Sequence, residues 1–162
     1  MGNLTYGEIT AKGVIDIIEN LKKNNQINED SILFDIGSGY GKIPRMFAEI
    51  TDIKAVGIEI DKNLHDISVE TNKWTNKTKK IKYINSCFTK CENHIKTGTI
   101  FIVDCIMWDK NLINKLVKIL PKNAILIHNK TSIPYDEIIP TWVSWEKTNQ
   151  SKFYKINTNN LR

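Results

Sequence analysis

A glycine-rich turn directly behind an apolar run constrains this chain more than any other feature. Residues 33–42 read LFDIGSGYGK, which places three glycines within five positions and an acid, Asp35, just ahead of them. Glycine adopts backbone conformations that other residues avoid, and it lets main-chain N–H groups approach a ligand closely. The segment therefore predicts a buried strand, a tight ligand-binding turn and a helix, in that order.

The rest of the chain alternates between strand-like and helix-like apolar patterns, which is typical of an α/β domain. We expect strands at residues 32–36, 54–60, 80–85, 99–105 and 123–129. We expect helices at residues 8–23 and 110–120, another through residues 46–50, and a fourth that begins near residue 63 with Asp61 or Asn63 as its cap. Residues 141–147 and 151–157 predict an antiparallel hairpin. Together these segments predict a Rossmann-like, seven-stranded and mostly parallel sheet that ends in that hairpin.

Length and composition fit one globular domain. The 162 residues, of which 41% are hydrophobic, are enough to bury a core, so we treat 1–162 as a single unit. No apolar run approaches the roughly 20 residues that span a bilayer, and the first residues lack the pattern of a signal peptide. Three cysteines without paired spacing fit a reducing compartment. We therefore expect an intracellular protein, and its net charge of +5 makes an anionic partner plausible.

The glycine turn and one downstream acid together predict the cofactor. The pattern is Asp35-x-Gly37-x-Gly39-x-Gly41, which differs from the G-x-G-x-x-G fingerprint of nicotinamide enzymes. Glu59 ends the second predicted strand, 24 residues beyond Asp35, where a carboxylate can accept both hydroxyls of a ribose. We predict S-adenosylmethionine, and with it the fold of a class I methyltransferase. A nicotinamide cofactor is the nearest rival, and the absent sixth-position glycine counts against it.

Several short motifs along the chain resemble one family, the non-SET histone lysine methyltransferases of the disruptor of telomeric silencing type. The likeness covers nearly the whole chain. Its motifs are Tyr6-Gly7-Glu8, the glycine turn, Glu59, Ser86-Cys87-Phe88, the Phe-Ile-Val-Asp-Cys segment that contains Asp104, and Val143-Ser144-Trp145. Cellular members carry a helical region before the Tyr-Gly-Glu loop, whereas this chain begins almost at that loop. It therefore resembles a minimal catalytic core, as in a virus or a prokaryote.

The resemblance implies which residues bind the cofactor. Residues 1–30 would supply a lid loop and a leading helix, and residues 31–162 the Rossmann-like core. Phe88 would stack on the adenine, and Cys87 stands where the family has an acid that accepts from the adenine amino group. The cofactor-binding residues implied in this way are Tyr6, Gly7, Glu8, Asp35, Gly37, Ser38, Gly39, Lys42, Glu59, Ile60, Cys87, Phe88 and Asp104.

The resemblance also implies an aromatic channel for a lysine side chain. Trp108 falls on an aromatic beside that channel, and Phe153 or Tyr154 takes the place of a channel tyrosine. Such surroundings would desolvate the lysine ammonium and lower its pKa from about 10.4. Asp104 stands where the family has Asn. One hypothesis is that Asp104 orients the amine, attracts the cationic lysine and accepts a proton through water. The alternative is that Asp104 only bonds loop amides.

A cluster of lysines surrounds Trp74. Its members are Lys73, Lys77, Lys79, Lys80 and Lys82. Such a cluster is usually a solvated face, but with a nucleosome as substrate it becomes a candidate site for DNA phosphates or an acidic histone surface. Cys87, Cys91 and His94 lack a second ligand pair, so we expect no metal site.

These observations favour a protein lysine methyltransferase that acts on a nucleosomal histone as a monomer, in the nucleus or a host nucleus. The alternative is an enzyme that methylates a non-histone lysine or an amino group of DNA or RNA. Enzymes for base amino groups commonly carry an Asp-Pro-Pro-aromatic motif after the fourth strand. Residues 104–107 read DCIM and lack both prolines. A non-catalytic cofactor-binding module is a third alternative, and the acid and aromatic residues at the site disfavour it.

Overall fold

Seven strands form a single sheet in the computed structural model, which describes residues 8–144 and 150–161. In chain order they are β1 (Ile32–Ile36), β2 (Lys54–Glu59), β3 (Ile81–Asn85), β4 (Ile100–Val103), β5 (Ile125–His128), β6 (Glu137–Trp142) and β7 (Gln150–Asn157). Their order across the sheet is β3-β2-β1-β4-β5-β7-β6. The first five are mutually parallel, and β7 runs antiparallel to both β5 and β6. The predicted fold class is confirmed.

Five α-helices connect or precede these strands. They are α1 (Ala11–Lys23), α2 (Lys42–Thr51), α3 (Lys62–Asn72), α4 (Glu92–Ile95) and α5 (Lys110–Ile119). The side chains of Thr10, Asp61 and Asp109 accept backbone N–H bonds at the starts of α1, α3 and α5. These caps satisfy N–H groups that have no partner within a helix. Asp61, rather than Asn63, is therefore the cap of α3.

Two hydrophobic layers cover the faces of the sheet. On one face, α1 and α2 contribute Val14, Ile17 and Phe47 to a buried cluster that also contains Leu33 of β1. On the other face, α5 packs against a cluster that contains Phe34. Leu33 and Phe34 are neighbours that point to opposite faces, and both are fully buried. Helices on both faces explain why the parallel strands read as continuous apolar runs.

Helix α1 begins at Ala11, which corrects the predicted start at residue 8. Residues Glu8 to Thr10 are extended and pair with the end of β6. The N–H of Thr10 donates to the carbonyl of Trp142 (2.8 Å), and the N–H of Ser144 donates to the carbonyl of Glu8 (2.9 Å). The Thr10 side chain ends this pairing because it caps the helix. The amino-terminal segment thereby forms an isolated β-bridge, between Ile9 and Val143, just past the end of β6.

Strand β6 also differs from its prediction, because it begins at Glu137 instead of residue 141. Pro140 stands directly before the predicted start. In the sheet it lies on the edge strand, where a missing N–H group removes no ladder bond. Among the helices that the structure describes, none is both long enough and apolar enough to cross a membrane.

Candidate functional site

The glycine turn joins β1 to α2 and is tied to the neighbouring strand. The N–H groups of Gly37 and Ser38 donate to the carbonyl of Ile58 (2.8 and 3.1 Å). Gly41 has φ +77°, and a side chain there would overlap the ring of Tyr83. The Tyr83 hydroxyl donates to the Gly41 carbonyl (2.8 Å), which fixes the end of the turn. Burial raises the pKa of Tyr83 to about 12, so the hydroxyl remains a donor at neutral pH.

Three acids converge at the carboxyl ends of the central strands. Asp35 lies in β1, Glu59 ends β2 and Asp104 follows β4, and the parallel register of β1 with β2 and β4 brings these ends together. Asp35 is only 4% exposed. Its burial, followed by the charges of Glu59 and Asp104, raises the pKa of Asp35 to about 8. A cationic group at this edge would relieve the repulsion between the acids.

The carboxylate of Glu59 is held by two backbone amides. Gly39 N–H donates to Oε2 and Asp61 N–H donates to Oε1, both at 2.8 Å. Glu59 is 7% exposed, so these bonds replace water at a nearly buried acid. Each oxygen keeps a second lone-pair direction for a ligand hydroxyl.

A pocket opens at this edge of the sheet. Six residues predicted to bind the cofactor line it, together with Ile9, Ile43 and Ile102; the six are Glu8, Asp35, Gly37, Ser38, Lys42 and Asp104. The Lys42 ammonium forms an ion pair with the Glu8 carboxylate across the pocket. Ser38 Oγ is buried and has no hydrogen-bond partner in the described part of the chain. The pocket therefore contains both charge signs and an unsatisfied hydroxyl.

Other predicted cofactor residues lie outside the lining of this pocket. Ile60, next to Glu59, is 70% exposed. Phe88 is buried and stacks on Trp108, with ring centroids 5.1 Å apart and planes within 5°. Cys87 is half-buried, and its Sγ lies 3.2 Å from Thr89 Oγ1. Tyr6 and Gly7, like Trp145, fall outside the residues that the structure describes.

The two candidate channel aromatics of β7 point to opposite faces of the sheet. Phe153 is fully buried in the cluster that packs against α1, which leaves it no exposed surface for a substrate. Tyr154 lies on the other face and is 8% exposed. Its ring contacts those of Tyr135 and His128, with centroid distances of 4.6 and 5.6 Å. Within residues 8–144 and 150–161, Tyr154 is the one of the pair with aromatic ring contacts, whereas Trp108 is stacked on Phe88.

Two consecutive residues directly after β5, Asn129 and Lys130, organise the loop that carries Asp104, and neither is among the predicted site residues. Asn129 Nδ2 donates to Asp104 Oδ1 (2.6 Å), and the Cys105 N–H donates to Asn129 Oδ1 (2.9 Å). Lys130 Nζ donates to the carbonyls of Ile106 and Trp108 (3.0 and 2.5 Å). The available signal was a polar His-Asn-Lys run directly after an apolar strand, since such positions reach the ligand edge of a parallel sheet.

His128, the residue before Asn129, is fully buried at the end of β5. Its Nδ1 accepts from the Lys130 N–H, and its Nε2 lies 3.3 Å from the Pro134 carbonyl. These partners fit the neutral tautomer with its proton on Nε2. Burial lowers the pKa of His128 to about 4, so the ring is neutral at physiological pH.

Acidic neighbours partly neutralise the lysine cluster around Trp74. Lys73 pairs with Glu70 (2.6 Å), while Lys77 and Lys80 both pair with Asp52 (2.6 and 3.1 Å). Lys82 Nζ lies 3.2 Å from His94 Nε2. Lys79 is exposed, and no acid among residues 8–144 and 150–161 pairs with it. In the same ranges, no three His, Cys, Asp or Glu side chains are grouped as a metal site.

Several solved structures of methyltransferases are similar to this fold. An RNA methyltransferase from Salinibacter ruber, in complex with S-adenosyl-L-homocysteine, superposes with a TM-score of 0.70 at 16% identity, over 88% of this chain and 90% of that one. Methyltransferases from Thiobacillus denitrificans and Geobacter sulfurreducens, also bound to S-adenosyl-L-homocysteine, both give 0.60, at 14% and 15% identity. In both comparisons the aligned region covers 80% of this chain and 53% of the other chain, so this chain spans about half the length of those two proteins.

The sequence itself was compared with protein families and with curated proteins. No curated protein matches the chain. The family model described as "Histone methylation protein DOT1" matches residues 1–158, which is nearly the whole chain. The chain shares with the solved structures the fold of methyltransferases that use S-adenosylmethionine. The chain therefore belongs to the family of the histone methylation protein DOT1, and it is an S-adenosylmethionine-dependent methyltransferase.

Proposed function

We propose that the enzyme transfers a methyl group to the ε-amine of a lysine, and that its substrate is a histone within a nucleosome. One observation carries this proposal. Residues at the carboxyl ends of β1 and β4 line a pocket, and of the two acids that these ends contribute, Asp35 is buried whereas Asp104 is half-buried and can pair with a cationic acceptor. The family match over residues 1–158 supports a histone as the protein that supplies this acceptor.

The residues of the pocket fit S-adenosylmethionine, which when bound supplies an electrophilic methyl group. Asp35, buried beside two other acids, suits the cofactor's ammonium group. Lys42 suits its carboxylate, and Glu8, which pairs with Lys42, suits the ammonium as well. Glu59, already fixed by Gly39 and Asp61, has lone pairs left for the ribose hydroxyls. Ser38 Oγ would gain the partner that it lacks among the described residues.

The chain's own residues have two tasks toward the lysine. The first is to remove its positive charge, because an ammonium has no lone pair with which to attack. The second is to align the neutral amine and exclude water from it. We assign the first task to Asp104 and the second to Trp108 and Tyr154 of the predicted set. Phe153 is left out of this assignment because it is buried in the core.

Contact with the nucleosome is assigned to the lysine cluster around Trp74. Lys79 and Lys82 are its exposed members without an acidic partner in the described ranges. Trp74 beside them is 86% exposed. Positive charge at an exposed surface binds DNA phosphates and releases their counterions, and this binding weakens as the salt concentration rises because the release then gains less entropy.

A second candidate function is methylation of an amino group in RNA or DNA. It is supported by the net charge of +5 and by the fold shared with an RNA methyltransferase. The loop after β4 lacks the prolines that commonly grip a flipped base.

Labelled S-adenosylmethionine, offered with nucleosomes, free histones, DNA or RNA, distinguishes these functions. Mass spectrometry of the labelled product then identifies the modified residue. We expect label on a histone lysine, with nucleosomes preferred over free histones. Label in nucleic acid alone would overturn the lysine assignment. An Asp35→Asn variant, which we expect to bind the cofactor poorly, is the control for transfer by a contaminant.

A further inference from the structure

Asn129 connects the end of β5 to the loop after β4 through both ends of its side-chain amide. Its nitrogen donates to Asp104 Oδ1 at 2.6 Å, and its oxygen accepts from the Cys105 N–H at 2.9 Å. The side chain is 6% exposed, so water does not compete strongly for these bonds. The amide thus fixes the carboxyl group of one residue and the backbone of the next.

This arrangement leaves the two oxygens of Asp104 in different situations. Oδ1 is occupied by Asn129, whereas no donor in residues 8–144 and 150–161 is hydrogen-bonded to Oδ2. Asp104 lines the pocket and is half-buried. Lys130, the next residue after Asn129, holds the carbonyls of Ile106 and Trp108 and so anchors the remainder of the same loop.

We propose that Asn129 is a positioning residue for methyl transfer, which holds Asp104 by one oxygen so that the other is presented to the acceptor amine. This inference rests on the proposed function, in which the amine is that of a lysine. The donated hydrogen bond restricts the rotation of the carboxylate, so its free oxygen keeps one position relative to the amine. Function therefore requires the carboxylate at residue 104 and the amide at residue 129, and the two groups cannot be exchanged.

A purely structural role predicts something different. In that role the pair matters only because it satisfies the Cys105 N–H and connects the segments that follow β4 and β5. Any pair with the same shape and the same number of hydrogen bonds would then serve as well. The two roles separate in a variant that keeps the bonds and moves the charge.

The exchange of the two side chains provides that variant. In Asp104→Asn/Asn129→Asp, the residue 104 amide donates to the residue 129 carboxylate, which still accepts from the Cys105 N–H. The single variant Asn129→Asp instead places two carboxylates together and removes the donor. Asn159→Asp, at a distant exposed site, is the matched control for the change of Asn to Asp.

The measurements are thermal stability, affinity for S-adenosyl-L-homocysteine, and kcat and KM with nucleosomes. We expect Asn129→Asp to lose stability and at least about tenfold in kcat/KM, because a hydrogen bond to a charged group contributes enough for that factor. We expect the exchange to restore thermal stability without restoring kcat/KM. Recovery of both would overturn the inference in favour of the structural role.

The proposed function is tested separately, by the transfer of label from S-adenosylmethionine by the wild-type enzyme. If the wild-type enzyme transfers no label to a histone lysine, the proposed function fails and this inference fails with it. If the wild type is active and Asn129→Asp matches it in kcat and KM, the inference alone is overturned. The Asn159→Asp control, which also loses a donor, to Asn123, is expected to keep the wild-type kcat, KM and affinity for S-adenosyl-L-homocysteine even if its thermal stability falls.

Discussion

The N–H of Gly39 donates to the carboxylate of Glu59 at 2.8 Å and thereby joins the glycine turn to the end of the neighbouring strand. The same carboxylate accepts from Asp61, the residue that caps α3. One acid therefore sets the positions of two segments, the glycine turn and the start of α3, at the edge of the sheet where the candidate site lies. We therefore expect removal of the Glu59 carboxylate to affect both the positions of these segments and the affinity for a ligand.

Glu59→Gln is expected to weaken cofactor binding about tenfold or more. The variant amide has one acceptor oxygen, so its NH₂ group must face the N–H of either Gly39 or Asp61. Loss of a hydrogen bond to a charged group costs about 1.5–3 kcal/mol. Calorimetric titration with S-adenosyl-L-homocysteine measures the effect, and Glu70→Gln on the exposed surface of α3 is the control. Equal affinity of Glu59→Gln and wild type would contradict a ribose-binding role.

Asp35→Asn is expected to stabilise the ligand-free protein increasingly as pH rises from about 4 to about 8. The pKa of Asp35 is raised to about 8 from 3.8, so within this window the folded state holds a proton that the unfolded state has lost. Stability that Asp35 provides when protonated is therefore lost on raising the pH, whereas Asn never ionises. Urea unfolding of both proteins across this range tests the sign.

The same Asp35→Asn variant should bind S-adenosyl-L-homocysteine poorly, because it lacks the charge that pairs with the ammonium. If the variant is more stable toward unfolding but binds the ligand more weakly, Asp35 destabilises the ligand-free fold and contributes to ligand binding. A stability difference that stays constant between pH 4 and 8 would contradict the raised pKa.

Gly41→Ala is expected to destabilise the protein by about 2 kcal/mol or more. Alanine is strained at φ +77°, and its methyl group would overlap the Tyr83 ring. The double variant Gly41→Ala/Tyr83→Ala removes the overlap and keeps the strained backbone. Comparison with Tyr83→Ala alone then isolates the backbone contribution, expected at about 1 kcal/mol. A double variant no more stable than the sum of the single changes would exclude the steric conflict.

Lys79→Glu/Lys82→Glu is expected to raise the KM for nucleosomes and to reduce the salt dependence of binding. Both lysines lack an acidic partner in the ranges that the structure describes, so reversal removes charge that is free to meet phosphate. Lys115→Glu/Lys118→Glu on α5, whose apolar side packs on the other face of the sheet, carries the same charge change and is the control. Affinity for S-adenosyl-L-homocysteine should be unchanged in both. Equal effects of the two double variants would mean that only net charge matters.

Asp104→Asn is expected to lower kcat and to move the rising limb of the pH–rate profile to higher pH. Without a carboxylate to take its proton, the lysine must arrive already neutral, and its reference pKa is about 10.4. The profile is measured with nucleosomes at saturating cofactor. An unchanged rate with an unchanged profile would remove the proton-accepting role from Asp104.

Much of the site could be predicted because its signals are local. The strand, the three glycines and the following helix lie within 20 residues, and each has a distinct backbone requirement that the residue types reveal. The Asp61 cap is local in the same sense. Glu59 follows from the strand after the turn, because parallel neighbours end at the same edge of a sheet.

What sequence reasoning missed depends on which strands become neighbours. Asn129 meets Asp104 only because β5 pairs with β4, and neither residue type is unusual in its own segment. The choice between Phe153 and Tyr154 required the register of β7, since one step along a strand exchanges its two faces. The true start of β6 could not be predicted either, because a strand tolerates Pro140 at the sheet edge, and that edge position exists only in the assembled sheet.

The pairing of Glu8 with Ser144 has a consequence for the order of events during protein synthesis. The Glu8 N–H donates to Ser144 Oγ across 136 positions of sequence, and Glu8 forms one wall of the pocket. A ribosome releases the glycine turn long before it releases the hairpin that fixes this wall. A nascent chain can therefore form its first βα units early, yet this wall of the pocket is fixed only after Ser144 has emerged.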